Sequence, residues 1–365
     1  MARVVGHVDL DYFYAQVEEV ENPLIKERPV AVCVFSGRTE DSGVVSTANY
    51  RAREFGVKSG MPIAAAKKRL EGKDPVIIRM NVSKYEAVSQ RIMGIVGARV
   101  DVLEQAGIDE AFFDLTSRSG GNFDSAARTA KEIKDAILRE ELLTCSIGIG
   151  RSKVVAKLAS DSSKPGGLLV VPPGSTSSFL GDLDVGRLYG VGPKTAGTLE
   201  GLGIKTVAQL AGASVERLED SFGRKFATYL HQAANGEDDD PVRENQEPVQ
   251  FSRIITLKED TTDPDEAIEQ LAEAMQSLAS KLASRGTSFR TLSAIAILTD
   301  LSTKTRSKTL ETPVGDLMAV KNTLTDLFAQ LSETTDREFR RVGVRVSDLS
   351  ASSGQSSLSD YTEAT

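Results

Sequence analysis

The sequence predicts an α+β protein of several domains that begins with a mixed βαβ sheet of the ferredoxin-like kind. Short apolar runs alternate with amphipathic stretches as far as residue 171. The turn-forming residues 172–174 (Pro-Pro-Gly) then end that pattern, and short helical stretches follow as far as residue 235. A polar, acidic segment at 236–246 precedes a second alternation of strand and helix patterns. A chain of 365 residues suits two to four compact units.

In the first part, apolar runs predict strands at 3–10, 29–35, 43–48, 76–79, 144–149 and 167–171, together with a hairpin around 108–115. Amphipathic periodicity predicts helices at 11–21, 50–55, 63–70, 82–98, 125–138 and 153–160. In the last part, the same criteria predict strands at 250–257, 293–298 and 341–346 and helices at 264–284 and 314–331. The Ser-rich end is predicted to be disordered.

Composition excludes several classes of protein. No segment approaches the roughly 20 apolar residues that span a bilayer, and no leader-like stretch opens the chain, so we expect a cytoplasmic protein without membrane contact. Cys33 and Cys145 lie in apolar strand patterns and are predicted to be buried free thiols. His7 and His231 are isolated and predicted to be structural.

The net charge of −8 argues mildly against a nucleic-acid partner, because such proteins usually carry a basic surface. Two explanations would reconcile the charge with DNA binding. The acidic residues lie away from the binding face, or the protein comes from a saline cytoplasm. The sequence leaves both open.

Three acidic residues stand inside or beside apolar strand patterns. Asp9 ends the first strand, and Asp109 with Glu110 lies in the hairpin segment. Carboxylates in such places are costly unless they are paired or bind metal, so the three could hold two oxygen-seeking cations for phosphoryl transfer. The alternative is that Asp109 and Glu110 point outward from a sheet edge. Asp11 and Asp114 are interpreted as structural or capping residues.

Five stretches in order resemble the Y-family DNA polymerases, particularly their archaeal members. Residues 8–18 read Val-Asp-Leu-Asp-Tyr-Phe-Tyr-Ala-Gln-Val-Glu, and 108–111 read Ile-Asp-Glu-Ala. The others are the stretches 46–62, 146–161 with 163–167, and 340–346. The likeness covers residues 4 to about 347, and five ordered motifs favour the metal-binding interpretation of the carboxylates.

The resemblance implies a right-hand polymerase with a ferredoxin-like palm, small fingers, a helical thumb and an α/β little finger. The expected boundaries are palm 1–10 and 79–171, fingers 11–78, thumb 172–235, linker 236–246, little finger 247–346 and tail 347–365.

The resemblance also implies the roles of the carboxylates. Asp9 and Asp109 would bind Mg²⁺ with the Leu10 carbonyl, and Glu110 would be the catalytic carboxylate that also contacts metal. Two ions are expected, with Mn²⁺ able to substitute. The family usually has Ser where Gly107 stands, a departure that removes no metal ligand.

For the nucleotide, Tyr14 matches the family's steric gate, a ring that collides with a ribose 2′-hydroxyl, whereas Tyr12 and Phe13 are interpreted as core aromatics. The positions that match the family's triphosphate contacts are Thr47, Tyr50, Arg53 and Lys164. The positions that match the small residues under the nascent base pair are Val34, Val44 and Ser46.

For DNA, residues 188–199 resemble a helix-hairpin-helix whose Gly190 and Gly192 turn would offer backbone N–H groups to a phosphate. Lys153 and Lys157 are expected to face DNA or phosphate, and the last domain supplies further basic positions at Lys304, Arg306, Lys308, Arg340, Arg341 and Arg345. Because the last domain is nearly neutral, its DNA affinity is expected to be modest and salt-sensitive. The tail residues Gln355, Leu358 and Tyr361 approximate a sliding-clamp motif with Thr362 replacing an aromatic residue, and a disordered tail without a partner remains the alternative.

The function implied is low-fidelity, translesion DNA synthesis without proofreading, by a monomer that uses primer-template DNA and deoxynucleoside triphosphates. A nucleotidyl cyclase is one alternative, which the hairpin motif and the absence of a Gly-Gly-Asp/Glu signature oppose. A non-catalytic DNA-binding or clamp-adaptor protein is another, which the three intact carboxylates oppose.

Overall fold

A computed structural model describes residues 1–244 and 247–351. The chain forms two compact units. The first comprises Met1–Cys33, Val45–Met61 and the chain from Ala65 to the linker, and the second comprises Val34–Val44, Pro62–Ala64 and the chain from Glu247. Among the described helices, none has the length and apolar character needed to cross a bilayer.

The strands of the described residues are β1 (Val5–Leu10), β2 (Val30–Phe35), β3 (Gly43–Ala48), β4 (Val76–Arg79), β5 (Val102–Gln105), β6 (Glu110–Asp114), β7 (Cys145–Gly150), β8 (Leu168–Val170), β9 (Gln250–Thr261), β10 (Thr287–Leu298), β11 (Thr303–Val314) and β12 (Phe339–Ala351). The α-helices are α1 (Phe13–Glu21), α2 (Tyr50–Glu54), α3 (Ile63–Arg69), α4 (Val82–Gly97), α5 (Thr116–Ser119), α6 (Phe123–Glu141), α7 (Lys153–Ser162), α8 (Thr176–Gly181), α9 (Pro193–Gly201), α10 (Val207–Ala211), α11 (Val215–Phe222), α12 (Arg224–Ala234), α13 (Pro264–Ser284) and α14 (Lys321–Glu333).

A five-stranded sheet forms the centre of the first unit, in the order β5-β6-β1-β7-β8. Strand β1 lies in the middle and pairs antiparallel with both β6 and β7, while β7 and β8 run parallel. Five of the six residues of β1 are buried, which explains why its sequence is an almost continuous apolar run.

Helices cover both faces of this sheet, and the alternation of side chains along β1 determines what each face carries. Val8 faces the apolar core that α4 and α6 complete. His7 and Asp9 point to the opposite face, where α7 packs. There a Cβ on Gly148 would lie 2.1 Å from the Ala156 carbonyl oxygen, so the backbone of α7 rests directly on β7.

The chain between β1 and α4 forms a smaller sheet in the order β3-β2-β4, in which β2 and β4 run parallel. Helix α1 begins directly after Tyr12, whose φ of 35° turns the chain sharply out of β1. The Asn49 side chain caps α2 by accepting from the Ala52 amide and also accepts from the Val30 amide at 3.0 Å, which fastens β3 to β2.

Residues 176–234 contain five short helices, α8 to α12, around a core that includes Leu199, Leu210, Leu218 and Leu230. The capping residues predict these boundaries well. Thr206 forms a capping box with Gln209 at the start of α10, and Ser214 caps α11.

The second unit contains a four-stranded antiparallel sheet, in the order β11-β10-β12-β9, with α13 and α14 packed on one face. The predicted helix at 314–331 is wrong at its start. Strand β11 continues to Val314 and α14 begins only at Lys321. Because most of β11 is exposed, it lacks the apolar alternation by which a strand is recognised.

Candidate active site

The three acidic residues come together at the end of one strand pair. Asp9 is the penultimate residue of β1 and is directly opposite Glu110, the first residue of β6. The carbonyl of Asp109 accepts a 2.9 Å hydrogen bond from the Leu10 amide. Because residues paired in this way share a face, the carboxylates of Asp9 and Glu110 lie on the face that α7 covers.

Burial dominates the electrostatics of Asp9. It raises the pKa of this carboxyl to about 6, while Lys164 opposes the increase and Asp109 adds to it. The Lys164 ammonium group lies 2.7 Å from Oδ2 of Asp9 and 3.0 Å from Asp161. Desolvation also raises the pKa of Asp109. A bound cation would offset the burial cost of both carboxylates.

The environment of Glu110 is different because a lysine and a histidine lie beside its carboxylate. The Lys157 ammonium group lies 2.5 Å from its Oε2 atom, and the His7 Nε2 atom lies 3.3 Å from the same oxygen. His7 and then Lys157 lower the pKa of Glu110 to about 2, so this carboxylate is ionised at neutral pH.

His7 lies in the site, although the sequence analysis predicted only a structural role for it. It is fully buried, its Nδ1 atom lies 2.7 Å from Ser160 Oγ, and its ring contacts that of Phe112. The available signal was its position two residues before Asp9, which places both side chains on the same face of β1.

The donor set fits a divalent cation. Carboxylate and carbonyl oxygens are the ligands that such ions prefer, and Asp9, Asp109, Glu110 and the Leu10 backbone lie on adjacent strand ends. As the side chains are arranged within residues 1–244 and 247–351, no group of three or more acidic, histidine or cysteine residues is positioned to hold a metal ion. In this arrangement Glu110 is paired with Lys157, and Asp9 is paired with Lys164.

Gly107, the departure noted in the sequence, lies against these carboxylates. A Cβ at this position would meet Glu110 Cγ at 3.2 Å and Asp109 Oδ1 at 3.5 Å. The amide of Gly107 donates to the Glu110 carbonyl at 3.0 Å, which closes the turn between β5 and β6. The glycine therefore leaves the two side chains more room than serine would.

Tyr14 lies in the first turn of α1 and is half-buried. Its ring stacks on that of Tyr85 at 4.5 Å between centroids and 28° between planes. Phe13 is fully buried in the core, as the sequence predicted, and Tyr12 donates to Glu19 at 3.1 Å. The stacking fixes the plane of the Tyr14 ring.

Two of the residues predicted to contact triphosphate form one aromatic and cationic group. The Arg53 guanidinium lies 4.9 Å from the centroid of the Tyr50 ring, and its Nε donates to the Ala48 carbonyl at 2.9 Å. The Tyr50 ring meets that of Tyr12 edge-on at 5.1 Å, which links this group to the end of β1. Thr47 is on β3 and is partly exposed.

The small residues predicted to lie under the nascent base pair are on β2 and β3. Val34 is 45% exposed and Val44 is 43% exposed, values unusual for valine in a strand. Ser46 lies further along β3 and is partly buried.

The turn predicted to bind a DNA phosphate precedes α9. Gly190 has a φ of +83°, which favours glycine, and Gly192 is the N-terminal cap residue of α9. The Tyr229 hydroxyl donates to the Tyr189 carbonyl at 2.6 Å and holds the turn against α12.

The basic residues of the second unit are divided between two faces of its sheet. Lys304 and Arg306 on β11 pair with Ala296 and Ala294, which face the helices, whereas Arg341 on β12 pairs with Ile297, which faces away. Arg345 pairs with Ser293 and lies on the face of Arg341, and Arg340 is next to Arg341 and partly buried. The sequence could not reveal this division without the register.

The expectation that Lys153 faces DNA is wrong. Its side chain is buried, and its ammonium group lies 2.8 Å from both Glu104 and Asp240. Lys157 instead contacts Glu110, as described above. The clamp-motif residues Gln355, Leu358 and Tyr361 lie outside the described residues.

Comparison with known proteins gives the family. Residues 8–161 match the profile of the impB/mucB/samB family, and residues 248–359 match that of its C-terminal domain. Residues 186–238 match the thumb domain of DNA polymerase iota. The chain is 39% identical to DNA polymerase IV of Nitrosopumilus maritimus, over 98% of this chain and 99% of that one. It is 42% identical to DNA polymerase IV of Methanosarcina acetivorans, over 99% and 100% of the two chains.

Solved structures agree with this result. A Y-family DNA polymerase chimera of Dbh and Dpo4 superposes with a TM-score of 0.89 at 36% identity, covering 94% of this chain and 98% of that one. An insertion ternary complex of Dbh DNA polymerase gives a TM-score of 0.69 at 35% identity over the same shares.

The chain therefore belongs to the Y-family DNA polymerases, in the group that contains these DNA polymerase IV proteins. The predicted α+β multidomain polymerase fold and the predicted enzyme class, a low-fidelity, translesion DNA-directed DNA polymerase, are confirmed. Membership also implies catalysis that depends on divalent metal ions. The cyclase and adaptor alternatives are thereby set aside.

Proposed function

We propose that the chain adds deoxynucleotides to a primer 3′ end at the site formed by Asp9, Asp109 and Glu110, with Mg²⁺ as its natural ion and Mn²⁺ able to substitute. The observation that carries this proposal is the register between β1 and β6, which sets Asp9 opposite Glu110. In the reaction, the primer 3′ oxygen attacks the α-phosphorus of the nucleotide, and pyrophosphate leaves. Two bound ions would activate the attacking hydroxyl and stabilise the charge on the leaving group.

The chain's own residues prepare this step. Asp9 and Asp109, with the Leu10 carbonyl, are proposed to hold the ions, and Glu110 is proposed as the catalytic carboxylate. The Glu110 carboxylate is ionised at neutral pH, as this role requires, and the contact with His7 and then that with Lys157 lower its pKa further. Lys157 pairs with Glu110, and Lys164 pairs with Asp9. Each of these ion pairs must break or rearrange when a cation binds to the carboxylate.

Thr47, Tyr50, Arg53 and Lys164 are proposed to hold the triphosphate. The packing of the Arg53 guanidinium on Tyr50 supports this, since a forked cation fixed in one plane suits phosphate oxygens. Tyr14 is proposed to exclude ribonucleotides, supported by the stacking that holds its ring in one plane. The exposed valines Val34 and Val44, with Ser46, are proposed to lie under the nascent base pair and to tolerate damaged templates.

For primer-template DNA, we propose two contact regions that do not read sequence. The turn at Gly190 and Gly192 would bind a phosphate through backbone N–H groups, supported by its position at the start of α9. The second unit would add Lys304 and Arg306 from one sheet face and Arg340 and Arg341 from β12. A ternary complex is known for Dbh DNA polymerase, a relative of this chain.

We propose the domain boundaries that the sequence predicts. We also propose that the enzyme is a monomer, that it works in the cytoplasm and that it has no proofreading activity. The proposal also includes attachment to a sliding clamp through Gln355, Leu358 and Tyr361, which is supported by their spacing. Pull-down with clamp protein, comparing wild type with Leu358→Ala and Tyr361→Ala, tests it, and equal retention of all three chains rejects it.

Primer extension on undamaged and abasic templates tests the central proposal. With Mg²⁺, the wild type should extend both templates, and Asp109→Ala should lower the rate at least about a hundredfold because a charge-stabilising group is lost. Glu140→Ala serves as the matched control, since Glu140 is an exposed carboxylate that pairs with its neighbour Arg139. Undiminished extension by Asp109→Ala, or none by the wild type, rejects the proposal.

A further inference from the structure

Asp11 is a buried carboxylate to which the proposed mechanism assigns no role. Only 1% of the residue is exposed, and its oxygens accept three hydrogen bonds. Oδ1 accepts from Ser146 Oγ at 2.8 Å. Oδ2 accepts from Thr144 Oγ1 at 2.8 Å and from the Gly166 amide at 2.9 Å. Burying a carboxylate is costly unless donors compensate it, and these three hydrogen bonds do so, which makes Asp11 a strong acceptor for the groups around it.

These bonds join three separate parts of the first unit. Asp11 follows β1, Thr144 and Ser146 lie at the start of β7, and Gly166 lies in the loop after α7. The same loop carries Lys164, two residues before Gly166. On its other side, the Lys134 ammonium group donates to the Gly166 carbonyl at 3.0 Å.

The end of β1 therefore contacts this loop twice. Asp9 contacts the side chain of Lys164, and Asp11 contacts the backbone at Gly166. The ammonium group of Lys164 lies at the end of a long, flexible side chain, so its average position depends on how firmly the loop backbone is held. The buried carboxylate of Asp11 holds that backbone by accepting a hydrogen bond from the Gly166 amide.

We propose that Asp11 is a positioning residue for the nucleotide triphosphate, acting through Lys164 by fixing the loop at Gly166. This inference rests on the proposed triphosphate contact of Lys164. Asp11→Asn should weaken the anchor because an amide group facing the Gly166 N–H or the Thr144 hydroxyl can no longer accept from it.

A double-mutant cycle tests the coupling. Asp11→Asn should raise KM for the incoming deoxynucleotide by about tenfold, the effect of losing a hydrogen bond to a charged group, and leave the Kd for primer-template DNA unchanged. In the Lys164→Ala background, the same substitution should change KM less than about twofold, because the residue through which it acts is gone. Amide hydrogen exchange at Gly166 should accelerate in Asp11→Asn without nucleotide or metal.

Ser146→Ala is the matched control. It removes the donor to Oδ1 but leaves both donors to Oδ2, so exchange at Gly166 and KM should stay near wild-type values. If Asp11→Asn melts below the assay temperature, Asp11→Ala, which removes both carboxylate oxygens without setting an amide donor beside the Gly166 N–H, replaces it in the same cycle.

The outcomes separate the two assignments. An equal rise in KM from Asp11→Asn with and without Lys164, or unchanged exchange at Gly166, overturns the role of Asp11. A Lys164→Ala enzyme with wild-type KM instead overturns the proposed triphosphate contact of Lys164.

Discussion

The Lys164 ammonium group lies 2.7 Å from Oδ2 of Asp9, so a lysine and a cation compete for the same carboxylate. Charges at such distances interact with about 1 kcal/mol even in a watery environment. Lys164→Met should therefore raise the affinity of the protein for Mn²⁺ by about fivefold in the absence of nucleotide. Titration followed by electron paramagnetic resonance measures it.

Lys84→Met is the control for that change in charge. Lys84 also bridges two carboxylates, Glu18 and Glu21, but it does so on α4. Its replacement should leave Mn²⁺ affinity unchanged. Equal gains in the two variants would show that net charge, rather than competition at Asp9, controls binding.

The stacked ring of Tyr14 gives a prediction about sugar selection. Tyr14→Ala should raise ribonucleotide incorporation relative to deoxynucleotide incorporation by on the order of a hundredfold or more, because the proposed steric clash disappears. Tyr14→Phe keeps the ring and should retain most of the discrimination. Single-nucleotide insertion kinetics provide both ratios, and an unchanged ratio in Tyr14→Ala would falsify the gate assignment.

Substitutions at Gly107, which lies beside the carboxylates, should lower the rate more as the new side chain becomes larger. A Cβ here would press on Glu110 Cγ at 3.2 Å, a contact that a small shift of that side chain relieves. Gly107→Ser should change kcat by less than about fivefold, whereas the branched Gly107→Val should lower it by about tenfold or more. Single-turnover rates at saturating nucleotide test this order, which would be contradicted by equal losses in both variants.

The two thiols should be inert in the folded protein. Burial raises the pKa of Cys33 to about 11 and that of Cys145 to about 12. Near neutral pH, roughly one thiol in ten thousand or fewer is then ionised, so iodoacetamide should label both cysteines much more slowly in the folded protein than in the guanidinium-unfolded chain.

The same shifts predict an effect of alkaline pH on stability. A thiol with a raised pKa stays neutral in the fold while it ionises in the unfolded chain above its ordinary value of 9.0. The fold should therefore lose stability as pH rises from about 9 to 11. Mass spectrometry after timed labelling measures the reactivity of the two thiols. Labelling of the folded protein as fast as that of the unfolded chain would contradict both the slow labelling and the loss of stability at alkaline pH.

The close approach of α7 to β7 gives a prediction about stability. At Gly148, a methyl group would lie 2.1 Å from the Ala156 carbonyl oxygen and 2.2 Å from the Ser160 amide nitrogen. Gly148→Ala should therefore reduce the free energy of unfolding by about 3 kcal/mol or more. Gly94→Ala on α4 meets no atom within 4 Å and should instead raise it by up to about 1 kcal/mol. Chemical denaturation measures the free energy of unfolding of both variants, and a Gly148→Ala variant as stable as the wild type would contradict the prediction.

Sequence patterns predicted the buried elements well and the exposed ones poorly. Strand β1 could be recognised because burial on both faces requires an apolar run. Strand β11 is mostly exposed and rich in Thr, Ser and Lys, so its continuation to Val314 was mistaken for the start of a helix. Its place in the sheet comes from pairing with β10, a contact that local pattern does not encode.

In the candidate site, too, some residues could be predicted from the sequence and others could not. Motifs identified Asp9, Asp109 and Glu110, but the roles of His7 and Asp11 depend on what other segments bring to them, namely Glu110 and Gly166. Lys153 failed as a predicted DNA contact for the same reason, because Glu104 and Asp240 reach it from distant parts of the chain.

The central position of β1 has a consequence for how the enzyme fails on heating. Asp9 lies within a strand that is hydrogen-bonded on both sides, so it cannot separate from Glu110 on β6 without disrupting the middle of the sheet. Fraying of edge strands such as β5 and β8 leaves that pairing intact. Thermal inactivation should accordingly be cooperative, with catalytic capacity and the fold of the first unit lost in a single transition.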